Sequence, residues 1–415
     1  MTLDPVHFDG IARMARRIEH GVDDREYQDL ATKAWDHFLD PLVADGRTVL
    51  EPVERQFRVR VPAETAALWP AAFETVHGLD SGTINPRTFR NGLVLDVAQA
   101  AMATSPSSLD LHRSRTVVAT VHSHDATVHL PDAWDRWDQG YSRGRVLRAP
   151  RVDQYEEAVV HALSLYFAES SHALHHGDDV EDLLVLDGPL YPTGMVNWLD
   201  RHPELAALLA DEDMPWEVVM NYLTLVEDFV ERDVPLVGFV KTVASKAVRR
   251  ALADALSQAP WANDASFFAQ ALGAAGDGPG GGTDLLATNW FVSRGGTDRV
   301  FAADSGELGL DRALPPTDYE VTFCVVYDPR TDLVYKAEAP LAFTRDRETR
   351  ERLTRYLLGA VATTRGPPEA VQKADSLARI SAAERESLIE TLERTFQSAR
   401  ARTYDEERWG ERSGE

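Results

Sequence analysis

Leu183-Leu184-Val185-Leu186 is a short apolar run that ends on Asp187-Gly188-Pro189. A buried strand that closes on a carboxylate and a glycine turn presents that carboxylate at the rim of a sheet, where ligands of α/β folds gather. Gly92-Leu93-Val94-Leu95-Asp96 repeats the layout. Asp187-Gly188 alone is equally a simple turn, because Asp bonds its own backbone and Gly accepts positive φ. As a pair, Asp96 and Asp187 would meet at one edge of one sheet and hold a divalent metal.

The elements that must position them follow from periodicity. Residues from about Pro5 to Val43 give two helices, with Ile11, Met14, Ala15 and Ile18 at the helical repeat in the first, and Gln56 to Val61 alternates like a strand. Strands are expected up to Asp96, over Thr116 to Val121 and over Thr127 to Leu130. An amphipathic helix from about Val152 to His175 leads into the Asp187 strand, and His172, His175 and His176 at its end suit the negative pole of the helix. A second helix around Trp216 to Glu231 precedes the apolar strand Val234 to Val240, which ends on Lys241. The glycine-rich stretch Gly273 to Thr283 is a loop and not a phosphate cradle, since no Lys-Ser/Thr pair follows it. Val321 to Tyr327 and Leu333 to Glu338 form a hairpin across Asp328-Pro329-Arg330-Thr331-Asp332, and helices from about Asp346 and Ala382 complete the chain.

A chain of 415 residues with 44% hydrophobic content has room for one elaborated domain or two. It contains no apolar stretch long enough for a membrane span, and a cytoplasmic location is expected. The lone cysteine, Cys324, sits in a strand and excludes an intramolecular disulfide. A net charge of -24 would ordinarily repel a polyanion. Yet the 43 basic residues include only five lysines, at positions 33, 241, 246, 336 and 373. An acidic, lysine-poor, arginine-retaining composition fits adaptation to molar salt, where the Debye length falls to about 3 Å and net charge says little about partners.

Five segments together resemble the NurA family of DNA-end-processing nucleases: Asp96 at a strand end, Leu186-Asp187-Gly188-Pro189-Leu190, Gly238-Phe239-Val240-Lys241, Lys336-Ala337-Glu338-Ala339-Pro340, and Gly366-Pro367-Pro368 followed by Lys373-Ala374-Asp375. The resemblance runs from about Asn91 to Ile389. Two departures stand out. In the family the first Asp is usually followed by Gly and a small polar residue, whereas Asp96 is followed by Val97-Ala98; and the C-terminal helix often carries His where this chain has Asp375. Asp remains a hard oxygen ligand suited to manganese or magnesium.

The resemblance implies an α/β fold with a ribonuclease-H-like mixed sheet, surrounding helices and an N-terminal helical extension. The expected divisions are an extension over residues 1–85, a nuclease domain over 86–402 and a charged tail over 403–415. It also implies a manganese-dependent DNA nuclease, dimeric, working with a HerA-type hexameric translocase in end resection for recombinational repair. With the salt-adapted composition, the source is expected to be a halophilic archaeon. An alternative is a catalytically impaired adaptor that binds the translocase. The expected metal and catalytic set is Asp96, Glu157, Asp187 and Asp375. Glu157 is chosen over Glu156 and the more distant Glu169 for the helix ligand that the family places before the Asp187 strand, although an acidic first turn explains Glu156 and Glu157 without any ligand. Lys241 and Lys336 are expected to contact DNA phosphates. His122 and His124 share one strand face and are expected at a solvated strand end.

Overall fold

The computed structural model describes residues 4–17, 24–131, 133–256, 258–274, 282–301 and 308–401. Fifteen strands join one mixed sheet. In chain order they are β1 (Leu42–Ala44), β2 (Arg47–Pro52), β3 (Arg58–Pro62), β4 (Val76–Thr83), β5 (Arg87–Thr88), β6 (Val94–Ser105), β7 (Arg115–His122) and β8 (Asp135–Trp137). The remainder are β9 (Ser142–Arg148), β10 (Leu184–Asp187), β11 (Leu236–Val240), β12 (Asp284–Thr288), β13 (Phe291–Ser293), β14 (Val321–Asp328) and β15 (Leu333–Pro340). The main path across the sheet runs β1-β2-β13-β14-β15-β11-β10-β4-β6-β7-β9-β8. At its middle β10 lies parallel to both β11 and β4, while β15 and β6 flank that trio antiparallel.

Helices cover both faces. On one, Glu156–His175 and Asp213–Glu231 pack on Leu79, Ala98, Ala100, Met102, Leu184 and Leu186. On the other, Arg347–Thr364 and Glu369–Ala378 pack on Val185, Val237, Phe239, Ala337 and Val326. Alternate residues of each strand thus serve opposite cores. The helix Asp24–Phe38 closes a third cluster with Phe267, Phe268, Phe291 and Phe323 at the β1–β14 end. Helix starts follow local chemistry: the Asp346 side chain caps Thr349 N–H at 2.7 Å, and Ser381 and Glu384 form a reciprocal capping box.

The expected helices and the β14–β15 hairpin are present, whereas Thr127 to Leu130 forms no strand. The boundary expected at residue 86 follows β4. β4 ends at Thr83, before that boundary, and is an interior strand between β10 and β6; β2 and β3 extend the same sheet through β13 and β12. The expected charged tail and most of the glycine-rich loop lie outside the described residues. Among those residues, no helix is long and apolar enough to cross a membrane.

The histidines at the end of the long helix bond side chains rather than its last carbonyls. His172 Nδ1 meets Thr116 Oγ1 at 2.9 Å, with Nε2 buried and unpartnered among the described residues, and His176 bridges Ser114 and Asp179 at 2.7 Å each. Burial, reinforced by His176 and Arg143, pushes His172 well below its ordinary 6.5. The folded protein therefore binds fewer protons than the unfolded chain below that pH, and stability falls as pH drops. Urea unfolding of His172→Gln, which keeps a partner for Thr116 but gains no proton, should show a shallower pH dependence below 6.5 by up to about 1.4 kcal/mol per pH unit. An unchanged slope would show that His172 does not contribute to this linkage.

Candidate metal centre

β10 stops at Asp187 while its neighbours β4 and β11 continue, leaving a gap at the carboxyl end of the central strand. Asp80 of β4 borders this gap. The pairing Leu79↔Leu186 sets Asp80 next to Asp187, and both side chains lie on the face covered by Glu369–Ala378, which carries Asp375. One carboxylate oxygen from each of Asp80, Asp187 and Asp375 lies within 4.8 Å of the others.

That convergence depends on two glycines. A Cβ at Gly78 would overlap the Ala370 backbone, and one at Gly82 would overlap the Ala378 carbonyl. Gly78 and Gly82 flank Asp80 at two-residue spacing, so the helix lies directly on β4 and brings Asp375 down to Asp80. A third glycine shapes the next loop. A Cβ at Gly238 would sit 2.5 Å from Leu190 N, so only glycine lets the Gly188–Leu190 turn cross β11. Glu338 then fixes that turn, its Oε2 accepting the Leu190 N–H at 2.9 Å.

Charges are concentrated here. Burial, then Asp187 and Glu169, push the Asp80 carboxyl up to about 9. Asp80 Oδ1 accepts the Ser81 N–H at 2.7 Å. Lys241 Nζ donates to Asp187 Oδ2 at 2.5 Å, and Asp187 Oδ1 is buried with no hydrogen-bond partner among the described residues. Burial alone would lower Lys241, but the bond and charge of Asp187, with Asp80 and Asp375, raise it. Glu169 reaches the area from the opposite helix layer, held by Ser81 Oγ at 2.6 Å on Oε1 and Tyr222 OH at 3.1 Å on Oε2. Burial pushes it up to about 7 against those two bonds. Hard oxygen donors with an orphaned buried lone pair among them fit a divalent cation.

The structure brings together Asp187 and Asp375 of the expected set, and not Asp96 or Glu157. β6 runs antiparallel to β4 with Ala101 opposite Asp80, so Asp96 lies five residues further along, about 17 Å at 3.4 Å per residue. Its carboxylate is fully buried, with His161 Nδ1 at 2.7 Å. Glu157 is exposed on the first turn of the long helix, beside Thr88 Oγ1 at 3.2 Å, and Glu169 stands 12 residues later, about 18 Å along the axis. Lys241 borders the cluster. Lys336 points from the other face of the sheet, where its Nζ pairs with Glu338 at 2.6 Å over the Phe323 ring. Burial would lower that ammonium, but Glu338 and Asp298 outweigh it. His122 is buried against Val152 N–H, and His124 stacks edge-on against it.

Asp80 escaped the sequence reading although a signal was present. Leu79-Asp80-Ser81-Gly82 has the small polar residue and the glycine that Asp96 lacks. His77 and Gly78 interrupt the apolar run ahead of it, so the pattern of a buried strand is concealed.

A model of the NurA domain matches residues 74–380, an interval that begins just before β4 and ends just after the Asp375 helix. The chain belongs to the NurA family. Similar solved structures include the NurA nuclease from Sulfolobus solfataricus, at 13% identity and a TM-score of 0.46 over 95% of this chain and 98% of that one. A NurA with manganese shares 10% identity at a TM-score of 0.41, over 77% of this chain and 89% of that one. A NurA bound to dAMP and manganese shares 11% identity at 0.40, over 81% and 90%. No curated protein matches the chain.

Two outcomes follow from this geometry. Gly82→Ala should separate the Asp375 helix from β4, lowering stability by about 1–3 kcal/mol and weakening cation binding; calorimetric titration giving wild-type affinity would refute the close-packing argument. Asp80→Asn should relieve repulsion among the carboxylates, so in chelator the variant should melt above the wild type, yet gain less from added manganese. A lower melting temperature in chelator would mean that the cluster is not under electrostatic tension.

Proposed function

We propose that this NurA-family chain is a metal-dependent nuclease that hydrolyses phosphodiester bonds in DNA, with Asp80, Asp187 and Asp375 as cation ligands and Glu169 as the fourth carboxylate. The observation that carries this reading is the triad of converging carboxylates, with Asp187 Oδ1 buried and unpartnered among the described residues. Bound manganese or magnesium would supply charge neutralisation at the scissile phosphate and a lowered cost of generating the attacking nucleophile. The protein's own groups prepare that event. Lys241 occupies Oδ2 of Asp187 and so leaves Oδ1 as the oxygen available to the cation. Its ammonium is partly exposed, with donors left for a phosphate oxygen of the bound strand. Ser81 and Tyr222 fix both oxygens of Glu169, so its free lone pairs keep one orientation while water and strand exchange.

Family membership agrees with this reading, and we extend it to DNA end resection by a homodimer working with a HerA-type translocase in a halophilic archaeon. The acidic, lysine-poor composition supports the source and leaves strand capture to local contacts and to the translocase. Helices packed on both faces of a mixed sheet, with carboxylates at the ends of its central strands, support a ribonuclease-H-like core. The ground for an inactive adaptor was the departure after Asp96; with Asp80-Ser81-Gly82 in the first strand, that ground disappears. Lys241 is the lysine placed to meet phosphate, because Lys336 is committed to Glu338.

On labelled DNA ends with manganese in molar salt, Asp80→Ala, Asp187→Ala and Asp375→Ala should each lose more than about 100-fold in rate, exceeding the loss usual for groups that only support a ligand. Folded Asp80→Ala protein cutting at the wild-type rate would overturn the assignment.

A further inference from the structure

We propose that Asp96 and His161 form a positioning dyad that binds a backbone phosphate of the substrate strand away from the scissile bond. This rests on the nuclease reading of the neighbouring carboxylate cluster.

The dyad is built from a carboxylate that has no solvent contact. Asp96 is 0% exposed; its Oδ1 accepts the Val97 N–H at 2.8 Å and its Oδ2 meets His161 Nδ1 at 2.7 Å. Burial raises the Asp96 carboxyl, and the bond and charge of His161 oppose that rise. Placing Nδ1–H on Asp96 fixes the ring and directs Nε2 to the opposite side. The His161 side chain is 38% exposed, and no hydrogen bond to Nε2 is present among the described residues. Ser164 ties the same helix to the Asp96 carbonyl at 3.2 Å, which removes freedom from the ring's mounting.

His161 also stands on a line with the catalytic region. Glu157, His161, Leu165 and Glu169 recur at four-residue intervals and form one oblique row along the helix Glu156–His175, none of them fully buried. His161 precedes Glu169 by eight residues, about 12 Å at 1.5 Å per residue, or three to four nucleotides at 3.4 Å each. Arg87, whose charge acts on Asp96, adds a guanidinium whose buried Nε has no hydrogen bond among the described residues. A phosphate oxygen at Nε2 would accept from the ring on the side opposite the Asp96 bond, so both ring nitrogens would be held at once. The anion that a strand presents at this distance from the metal centre is its backbone phosphate. A partly exposed histidine is an inefficient way merely to neutralise a buried carboxylate, which an amide would satisfy without a charge.

The test uses the full chain with His161→Gln, whose amide can still donate to Asp96, and with Asp96→Asn. Binding of a labelled single-stranded oligonucleotide is measured by fluorescence anisotropy in chelator. Cleavage of that oligonucleotide and of a dinucleotide is measured with manganese. The expected result is about tenfold weaker binding for His161→Gln, the loss of one charge-assisted contact. KM should rise on the long strand with kcat unchanged, and dinucleotide cleavage should match the wild type. Asp96→Asn should weaken binding in the same direction. Wild-type affinity in folded His161→Gln, or a fall in kcat at unchanged affinity, would overturn the dyad while leaving a cleaving wild type as a nuclease. Wild-type protein that binds through His161 but cuts nothing would overturn the nuclease reading and keep the dyad. Wild-type protein that does neither would overturn both.

Discussion

Mutual repulsion among carboxylates is the constraint that the rest of this structure serves. Asp80, Asp187 and Asp375 come from β4, β10 and a helix nearly two hundred residues beyond β10, and nothing in their own chemistry favours bringing them together. The fold opposes that repulsion with contacts that are individually ordinary. Gly78 and Gly82 let a helix lie on the backbone of β4, Glu338 pins the turn after Asp187, and Lys241 neutralises one oxygen. Each holds backbone or charge in place before any cation arrives. The resulting cluster holds unfavourable electrostatics that a bound divalent cation would relieve, a pattern typical of functional centres that trade stability for binding.

Much of this frame was visible in the sequence, because long periodic segments declare themselves. The helix before Asp187, the Leu236–Val240 strand, the β14–β15 hairpin and the helix capped by Asp346 all follow from apolar spacing and local turn chemistry. The first-strand carboxylate was less legible. Asp96 ends a clean apolar tetrad, whereas Asp80 follows His77 and Gly78, so hydrophobicity points to Asp96 and not to the carboxylate that lies beside Asp187 and Asp375. Gly78 was selected for its lack of a side chain, so the feature that creates the site also weakens the strand signal. Glu157 and Glu169 differ in the same way: periodicity gives a helix, but which turn of it faces the gap depends on where β4 and β6 end.

Lysine placement separates two cations that the sequence presents alike. Lys241 and Lys336 belong to neighbouring antiparallel strands and carry the same charge, yet the pleat sends them to opposite faces. Lys336 ends against Glu338 and Phe323 and serves the turn that carries Asp187; Lys241 ends beside Asp187 itself with part of its ammonium in solvent. Sequence proximity to acidic motifs selects both. Only strand register distinguishes a structural cation from one at the rim of the site.

The contrast between Asp80 and Asp96 reduces to the same register argument. Both occupy strands of the central sheet and both are buried. Asp96 has continuous neighbours, pairing Thr120 on β7 while lying beyond the end of β4, and a helix above it supplies His161. Its lone pairs are therefore satisfied by protein donors, and the chemistry it can do passes through the histidine. Asp80 borders the place where β10 stops, so the groups that reach it are other carboxylates and the demand for positive charge stays open. A buried strand aspartate thus joins a carboxylate cluster or anchors a histidine according to where the adjacent strand terminates, and that length is set by the Gly188 turn rather than by the aspartate.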